Sequence, residues 1–361
     1  MFIRLYSVGR YIDLKNVTKI FPGSPEVRVF ETKDTPIIYL PKPLAMDIPI
    51  TACSSDSSCK ASMRVKLYED GVISFVVRVA FTNISLDQLH QIRSLKLNTS
   101  EGSFNVHEWK EFHLKQILTE ITPYIDKDLY LFDSPESEEY TAFCITDDVG
   151  DPQKYLKQND RILAGLLIDE NPNLKLHPSQ IASTLKHPFS YLENDLVLYD
   201  FDRCIIINPS RDYEDILFIV ELGNYQMLTL RMLDRLLDYR LDLAEDDIRK
   251  TFVQSRNPIK QLTKKLGEWL KLRYDMLFIL ENLENVSKII GDFYLGNMFQ
   301  HICNLFELNQ WSNSIRHRMD ILGDIYGMAR TDVNDRLLLY MELGLSIVFI
   351  TEFILLIFGI S

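Results

Sequence analysis

The sequence is poor in cysteine, and its few cysteines lack the spacing of a metal site or a disulfide framework. Five are present, and no two form a C-x-x-C pair: Cys53, Cys59, Cys144, Cys204 and Cys303. An odd and widely spread set fits a reducing compartment better than a disulfide-stabilised fold. We therefore expect neither disulfides nor a zinc site, and no cofactor.

The motifs of the common nucleotide-binding and hydrolase families are also missing. The chain contains no G-x-G-x-x-G, no P-loop, no G-x-S-x-G and no H-E-x-x-H. His107 and His113 are six residues apart, which does not place them on one helix face for a metal. These absences lower the expectation of an enzyme without ruling one out.

Basic residues are in the minority, and no export signal is visible. The net charge of −12 argues against a protein that coats nucleic acid or docks broadly on anionic lipid. The N-terminal sequence MFIRLYSVGRYIDL has no apolar run of signal-peptide length and no acid-free, Arg/Ser-rich leader. We expect a protein that is not exported by a standard route.

One long apolar run is present, at the end of the chain. Residues 337–360 read LLLYMELGLSIVFITEFILLIFGI, and 16 of these 24 residues are Leu, Ile, Val or Phe. As a helix the run spans about 36 Å, enough for a hydrocarbon core of about 30 Å. Its transfer free energy favours insertion, although each of two glutamates opposes it by roughly 2.5–3.5 kcal/mol. The alternative is a core helix of a soluble protein, which seldom lacks a polar face over such a length.

The two glutamates of this run are Glu342 and Glu352. Ten residues apart, they are separated by about 80° around a helix and can share one face. Intramembrane carboxylates usually avoid lipid and face a partner, which predicts self-association of the helices. The alternative is that Glu342 reaches the headgroups and Glu352 is protonated.

The rest of the chain predicts an α+β architecture. MRVKLY and VISFVVRVAF alternate around an EDG turn and predict a hairpin, and NDLVLYDFDRCIIINP predicts two short strands around a tight turn. We predict a mixed α+β cytoplasmic domain over 1–210, with a candidate sub-boundary near 147–160. A helical, coiled-coil-like stalk over 211–336 and a transmembrane anchor over 337–360 would follow.

Local signals predict further elements within the first domain. Residues 37–40 read as a strand. Ser85 begins a helix with Gln88 at the capping-box position and an apolar stripe that runs to Leu95. A second helix around 107–125 has Asn105 as its cap, with Glu108 three residues on. Residues 147–160 read as a polar linker, and Ser179 caps a helix through Lys186.

The predicted stalk has an apolar seam. In a 3-4 alternating template over 259–290, eight of ten positions are apolar, and Arg273 and Ser287 are the exceptions. A second stripe leads into the anchor: Ile315, Met319, Leu322, Tyr326, Ala329 and Val333. If residues near 290 lie close to the membrane, the end near 258 would lie about 50 Å away from it.

A basic stretch interrupts this acidic chain. Between Arg249 and Arg273 there are eight Lys or Arg residues and one acid, Glu268. The stretch could bind RNA, a ribosome surface or anionic lipid, and its predicted distance from the membrane favours a soluble partner. The alternative is a solvated helix face or pairing with acids of the same chain. The candidate contact residues are Lys260, Lys264, Lys265, Lys271 and Arg273.

Asp200 and Asp202 are the only nameable catalytic candidates. LVLYDFDRC has the form of an apolar strand that ends in D-x-D, as in aspartate-nucleophile phosphohydrolases. There the first carboxylate attacks phosphorus, the second acts as acid and base, and Mg²⁺ neutralises the phosphate. However, Cys204 stands where Thr or Val is usual, and a second strand follows at once. The alternative is a turn, because Asp tolerates turn geometry and bonds its own backbone.

The last part of the chain resembles a known family. A long heptad helix is followed by GDFYLGNMFQHICNLFELNQW, by SIRHRMDILGDIYGMARTDVNDR and by a tail with glutamates ten apart. Over roughly residues 190–361 this layout resembles the "required for meiotic nuclear division" family of membrane-tethered proteins. The resemblance implies an oligomeric scaffold, and it supplies no catalytic residues. Without a mitochondrial leader, the chain fits a bacterial or similar inner-membrane setting.

Together these features favour a tail-anchored, homo-oligomeric scaffold or assembly factor without catalysis. We expect a single-pass protein of the inner membrane with its bulk on the cytoplasmic side, because Arg316, Arg318, Arg330 and Arg336 precede the anchor. One alternative is an RNA- or ribosome-contacting tether that uses the basic stretch. Another is a metal-dependent phosphohydrolase that uses Asp200 and Asp202. No small-molecule substrate is indicated.

Overall fold

A computed structural model shows a mixed α/β N-terminal region followed by long helices. It describes residues 1–21, 23–25, 43–49, 52–53, 59–82, 84–90, 92, 95–99, 101–126, 135–170, 174–254, 258–286 and 292–357. The strands are β1 (Phe2–Ser7), β2 (Tyr11–Ile12), β3 (Ser24–Pro25), β4 (Leu44–Pro49), β5 (Ala52–Cys53), β6 (Cys59–Leu67), β7 (Val72–Phe81), β8 (Lys96–Thr99), β9 (Gly102–Asn105), β10 (Ile125–Asp126), β11 (Glu136–Ile145), β12 (Leu196–Tyr199) and β13 (Arg203–Ile207). The helices are α1 (Leu14–Val17), α2 (Leu86–Leu89), α3 (Val106–Ile121), α4 (Pro152–Gln158), α5 (Asp160–Leu167), α6 (Pro178–Thr184), α7 (Glu214–Gln254), α8 (Pro258–Val286), α9 (Phe293–Leu305) and α10 (Leu308–Ile357). The predicted fold class is confirmed.

The main sheet has the strand order β12-β13-β11-β1-β7-β6-β4-β3. Its pairs are antiparallel except β11 with β13, which run parallel. The predicted β6–β7 hairpin is confirmed. Its turn needs Gly71, because the backbone there has φ of +82° and an added Cβ would lie 1.8 Å from the carbonyl oxygen of Gly9.

The two faces of this sheet are covered by different helices. Alternation along β1 turns Tyr6 toward α3, where its hydroxyl donates to Glu111 at 2.7 Å. The core on this face includes Trp109. On the opposite face, Lys66 and Ser74 lie opposite each other on β6 and β7 and reach α7. The first turns of α7 therefore pack on the sheet.

Three local predictions differ from the structure. The helix that begins after Ser85 ends at Leu89, because the chain beyond it forms the β8–β9 hairpin. The segment 147–160, predicted as a polar linker, contains α4, which Asp151 caps by accepting two backbone N–H bonds and which begins with Pro152. Helix α6 is capped by His177 rather than by Ser179. A strand predicted at 37–40 lies outside the residues that the structure describes.

The chain forms two compact units. The first comprises Met1–Met232 with Asn282–Asn309, and the second comprises Leu233–Glu281 with Gln310–Ser361. Helices α7, α8 and α10 each contribute to both. In the first unit α9 packs near the β12–β13 hairpin, where the hydroxyl of Tyr199 lies 3.3 Å from the sulfur of Met298. The division at 210 and 336 that the sequence indicates stays a prediction.

Candidate functional site

The most distinctive surface of the described residues is the apolar end of α10. This helix is long and apolar enough to cross a membrane by length and composition. Residues 334–357 are exposed without interruption. The described part of the apolar run, 337–357, spans about 32 Å, close to the thickness of a bilayer's hydrocarbon core. The protein itself buries none of the apolar window, so within this chain it does not act as a core helix.

N-terminal to the apolar run, α10 packs with α7 and α8 in the second unit. All six residues of the second predicted stripe are buried: Ile315, Met319, Leu322, Tyr326, Ala329 and Val333. On α8 the template positions Leu262, Trp269, Met276 and Leu280 are buried as well. The periodicity therefore identified the packed faces correctly, and a coiled coil as such stays a prediction.

Polar contacts fix the direction of the three helices in this unit. On α7 and α10 the contacts advance together: Arg318 bonds Asp234 and Asp238, and the Tyr326 hydroxyl lies 3.4 Å from Asp247. These two helices are parallel. Arg273 of α8 donates to Asp320 at 2.7 Å.

A buried cluster shows which end of the unit leads to the apolar run. Leu262 of α8 shares it with Ala329 and Val333 of α10, and Ile248 of α7 packs against it. Since Leu262 comes before Arg273 but meets a later part of α10, α8 runs antiparallel to α10. The chain near 258 therefore lies beside the start of the apolar run at Leu337. The prediction that this end is about 50 Å distant was wrong, because it assumed that the last turns of α8 lie nearest to the run.

The five basic candidate residues separate into two groups. Lys260 and Lys264 are exposed and lie within a turn of Leu262, at the end beside the apolar run. Lys265 is at the same end, with its ammonium group 3.1 Å from Asp247. The structure places Lys271 and Arg273 two to three turns away from Leu262, and Arg273 pairs with Asp320. Ion pairs within the chain thus involve Lys264, Lys265 and Arg273.

Glu342 and Glu352 are both exposed on the apolar run. Counted from Leu337, Glu342 lies about 8 Å along the helix and Glu352 about 23 Å. Each is thus about 8 Å inside one end of the segment 337–357. The structure does not bring them to any other described residue of the chain that could neutralise them.

Helix α8 also carries an exposed apolar stripe. Leu270, Tyr274 and Phe278 follow each other at intervals of four residues, so they lie on one helix face. Their exposed fractions are 54%, 72% and 58%. The 3-4 template missed this stripe because it tracks only the face that is buried within the chain.

Asp200 and Asp202 lie in the turn between β12 and β13. The N–H of Asp200 donates to the carbonyl of Arg203 at 2.7 Å, and the Asp200 carboxylate accepts from the N–H of Phe201 at 2.7 Å. Burial raises the pKa of the Asp200 carboxyl above its usual range. Arg203 is buried, and its guanidinium bonds Asp169 and the carbonyl of Leu166. This geometry supports the structural alternative for the D-x-D sequence.

A buried polar cluster in the first unit was missed by reasoning from the sequence. Glu221 on α7 accepts from the Lys66 ammonium at 2.6 Å and the Ser74 hydroxyl at 2.7 Å, and the Tyr68 hydroxyl lies 3.3 Å away. The side chains of Lys66 and Glu221 are each 6% exposed. The available signal was weak: a lone Lys in an alternating strand usually indicates a solvated face, and Glu221 stands alone in an apolar stretch.

Beside this cluster, Asp70 in the β6–β7 turn bonds the hydroxyl of Tyr225 on α7. Its second carboxylate oxygen is buried and has no hydrogen-bond partner among the described residues. Burial raises the pKa of Asp70 to about 7. Among the parts of the chain that the structure describes, no group of three His, Cys, Asp or Glu could hold a metal ion.

The described residues thus form an α/β unit and a helical unit, and one of their helices is a candidate membrane span. Residues 1–214 match the family described as "Uncharacterized protein MJ0711, N-terminal domain", and the chain belongs to this family. The protein named "Uncharacterized protein MJ0711" from Methanocaldococcus jannaschii is 25% identical over 295 residues, which cover 81% of this chain and 80% of that protein. The similarity therefore extends beyond the family domain into the helices. No solved structure matches the chain.

Proposed function

We propose that the protein is a single-pass membrane protein that acts as a homo-oligomeric scaffold or assembly factor, without catalysis. One observation carries the proposal: the apolar run 337–357 is helical, about as long as a hydrocarbon core is thick, and exposed at every residue. Leaving so much apolar surface in water is unfavourable, and a bilayer removes that cost. The helical unit would then stand directly on the membrane.

Charge supports placing both units on the cytoplasmic side. Basic residues near the end of a spanning helix favour the cytoplasmic face. Arg330 and Arg336 precede the apolar run on α10 itself, and the packing of Leu262 against Val333 adds the basic end of α8 to the same level. The membrane we propose is an inner, cytoplasmic membrane.

Two features support self-association. Glu342 and Glu352 would lie inside the hydrocarbon core, where carboxylates usually face a partner. A second copy of the helix would shield them. Outside the membrane, the exposed stripe of Leu270, Tyr274 and Phe278 offers an apolar face to another copy. The proposed kinship of residues 190–361 with the "required for meiotic nuclear division" family is in keeping with such an assembly.

The two alternative functions have less support. An RNA- or ribosome-contacting tether would use the basic stretch, but three of its five candidate residues, Lys264, Lys265 and Arg273, form ion pairs within the chain. A phosphohydrolase would use Asp200 and Asp202, but the Asp200 carboxylate already accepts a turn hydrogen bond from the N–H of Phe201.

Carbonate extraction of native membranes tests the anchor. The full chain should stay in the membrane pellet, and a chain without residues 337–361 should be released. Replacing Ile347 and Ile350 by Arg keeps the length but adds roughly 2.5–3.5 kcal/mol of insertion cost per residue, so this variant should also be released. Met328→Arg, on an exposed face of the same helix N-terminal to the run, is the control and should remain bound. A full chain that is soluble without detergent refutes the proposal.

Crosslinking in native membranes tests self-association. The full chain should give a dimer or a higher, defined oligomer, and the double variant Glu342→Leu and Glu352→Leu should give mainly monomer while remaining in the membrane. Ser346→Leu, which also adds apolar surface to the run, should leave the oligomer intact. A wild-type chain that crosslinks only as monomer contradicts the oligomeric part of the proposal and leaves the anchor standing.

A further inference from the structure

Two exposed features of the helical unit face the same side of it. One is the apolar stripe of α8, formed by Leu270, Tyr274 and Phe278, and the other is the face of α10 that carries Glu342 and Glu352. We propose that this side, which is made of α8 and α10 and faces away from α7, is the surface on which a second copy of the chain docks. The inference rests on the proposed anchor and self-association, and it names the interface between the copies.

The contacts of α10 show which way its two glutamates face. A Cβ added at Gly323 would lie 3.3 Å from the indole nitrogen of Trp269, so Gly323 points toward α8. Tyr326 and Arg318, which contact α7, lie about 60° and 140° from Gly323 in one sense of rotation. The two glutamates of the apolar run lie about 100° and 20° from it in the opposite sense. They are therefore on the side of α10 that adjoins α8 and faces away from α7.

The contacts of α8 orient its stripe in the same way. Trp269 points toward α10, and Lys265, which pairs with Asp247 of α7, lies about 40° to one side of Trp269. The three stripe residues lie about 100°, 140° and 180° to the other side. Because α8 and α10 are antiparallel, a rotation away from α7 in the same sense along each helix leads to one common side. The stripe and the glutamates thus face the same neighbour.

Two glycines on this side leave room for a close neighbour. Gly267 lies about 160° from Trp269, and Gly327 lies about 40° from Gly323, both in the sense that leads away from α7. A Cβ added at either glycine would meet nothing within 4 Å. Their levels along the helix axes agree to within about 3 Å, since Trp269 and Gly323 are in contact. Another helix can approach closely here, because no side chain stands between the two backbones.

The size of the stripe favours a second copy over a partner from solution. Aromatic side chains bury about 150–250 Å² each, so Tyr274 at 72% exposure and Phe278 at 58% leave roughly 200–300 Å² uncovered. A stable complex formed from solution buries about 800 Å² on each partner. A second copy supplies the difference, because its α10 meets the glutamates in the same approach. Its anchor also confines it to the same bilayer, which raises its effective concentration.

Photocrosslinking of the full chain in lipid vesicles tests the inference. p-Benzoylphenylalanine placed at Tyr274 exchanges one exposed aromatic side chain for another. The purified protein in phosphatidylcholine vesicles should give covalent dimers, and mass spectrometry should map the new bond to α8 or α10 of the second copy. The control carries the same group at Asp242, which is exposed on α7 about 140° around that helix from the buried Leu237. It should give no dimer above the yield without irradiation.

A charge placed on the stripe gives a second test. Tyr274→Glu should raise the dissociation constant of the dimer at least about tenfold, the factor that corresponds to about 1.4 kcal/mol, because an unpaired charge would be buried between the copies. Asp242→Lys also changes a charge on the helical unit and should leave the dissociation constant unchanged. Thermal unfolding checks that both variants keep the fold, which is expected because both side chains are exposed.

Three results would overturn the inference, and they are distinguishable. A chain that dimerises through the apolar run, with equal yields from Tyr274 and Asp242, refutes the interface and leaves the self-association intact. Bonds from Tyr274 to a different protein in native membranes, with no dimer from the purified chain, assign the stripe to that protein instead. A chain that stays monomeric with every crosslinker refutes the proposed self-association, and the interface with it.

Discussion

The ammonium group of Lys66 lies 2.6 Å from a carboxylate oxygen of Glu221, with both side chains buried between the sheet and α7. Replacing one partner of such a buried ion pair by an apolar residue is costly. The charge that is left behind has neither water nor a counter-ion, and the typical penalty is about 3–5 kcal/mol. A buried ion pair thus holds the first turns of α7 against β6 and β7, in addition to apolar packing.

Lys66→Met should therefore destabilise the first unit by about 3–5 kcal/mol. Adding Glu221→Leu should recover much of the loss, because no unpaired charge then remains. Arg64 and Asp47 offer a matched control: the pair also involves β6, but its side chains are 40% and 67% exposed. Arg64→Met should cost at most about 1 kcal/mol. Chemical denaturation followed by fluorescence measures all three, and equal losses for Lys66→Met and Arg64→Met would contradict the role of burial.

Asp70 should make stability depend on pH. Burial raises its pKa in the folded protein to about 7, above the usual value of 3.8. Between these two values the folded state holds the proton more tightly than the unfolded state does, so stability falls as pH rises from about 4 to about 7. The groups around it are Glu69, whose charge raises the pKa further, and the hydroxyl of Tyr225, which bonds the carboxylate.

Asp70→Asn removes this dependence while keeping a group that can bond Tyr225. The variant should gain stability relative to the wild type as pH rises from 4 to 7, and its advantage should level off above pH 7. Glu138, whose pKa burial raises to about 6, contributes in the same direction in both proteins and cancels in the comparison. Unfolding midpoints measured across this range are the readout, and parallel pH profiles for the two proteins would disprove the assignment.

Leu262→Ala should loosen the helical unit. Leu262 is fully buried, and truncating such a residue typically costs about 2–5 kcal/mol. Leu270→Ala, on the same helix with 54% of the residue exposed, should change stability by less than about 0.5 kcal/mol in the monomer. Thermal unfolding of the full chain in detergent micelles compares them. Similar melting temperatures for the two variants would place Leu262 outside a packed core.

Asp200→Asn should weaken the β12–β13 turn only slightly, since an Asn side chain can accept the same bond from the N–H of Phe201. Its expected cost is at most about 0.5 kcal/mol, below the net value of a lost hydrogen bond. Hydrolysis of a generic phosphate ester by the wild type that disappears in Asp200→Asn, with Phe201→Ala unaffected, would instead revive the phosphohydrolase hypothesis.

The elements with strong periodicity were predictable from the sequence. The β6–β7 hairpin, the capping of α3 by Asn105 and Glu108, and the buried stripe from Ile315 to Val333 all follow from local spacing. The length of the apolar run likewise needs only counting. Such signals depend on neighbours within a few residues, so contacts with distant parts of the chain do not change these elements.

Features that depend on contacts between distant parts of the chain were not predictable from local spacing. The short helix at Ser85 gives way to a hairpin because β8 finds a partner in β9. The cluster of Lys66 and Glu221 joins residues that are 155 positions apart. The position of the basic end of α8 depends on the direction in which this helix runs. The spacing of apolar residues does not reveal that direction, because the pattern is the same when it is read from either end.

Helix α10 continues from Leu308 to Ile357 with no proline and no break, a rod of about 75 Å. A spanning helix adjusts to the thickness of its bilayer by tilting. If the apolar run lies in lipid as proposed, one unbroken helix joins the spanning segment to the segment packed against α7 and α8. A tilt that a thinner or thicker membrane imposes on the spanning segment would then also reorient the packed segment, so the orientation of the helical unit would follow the local thickness of the bilayer.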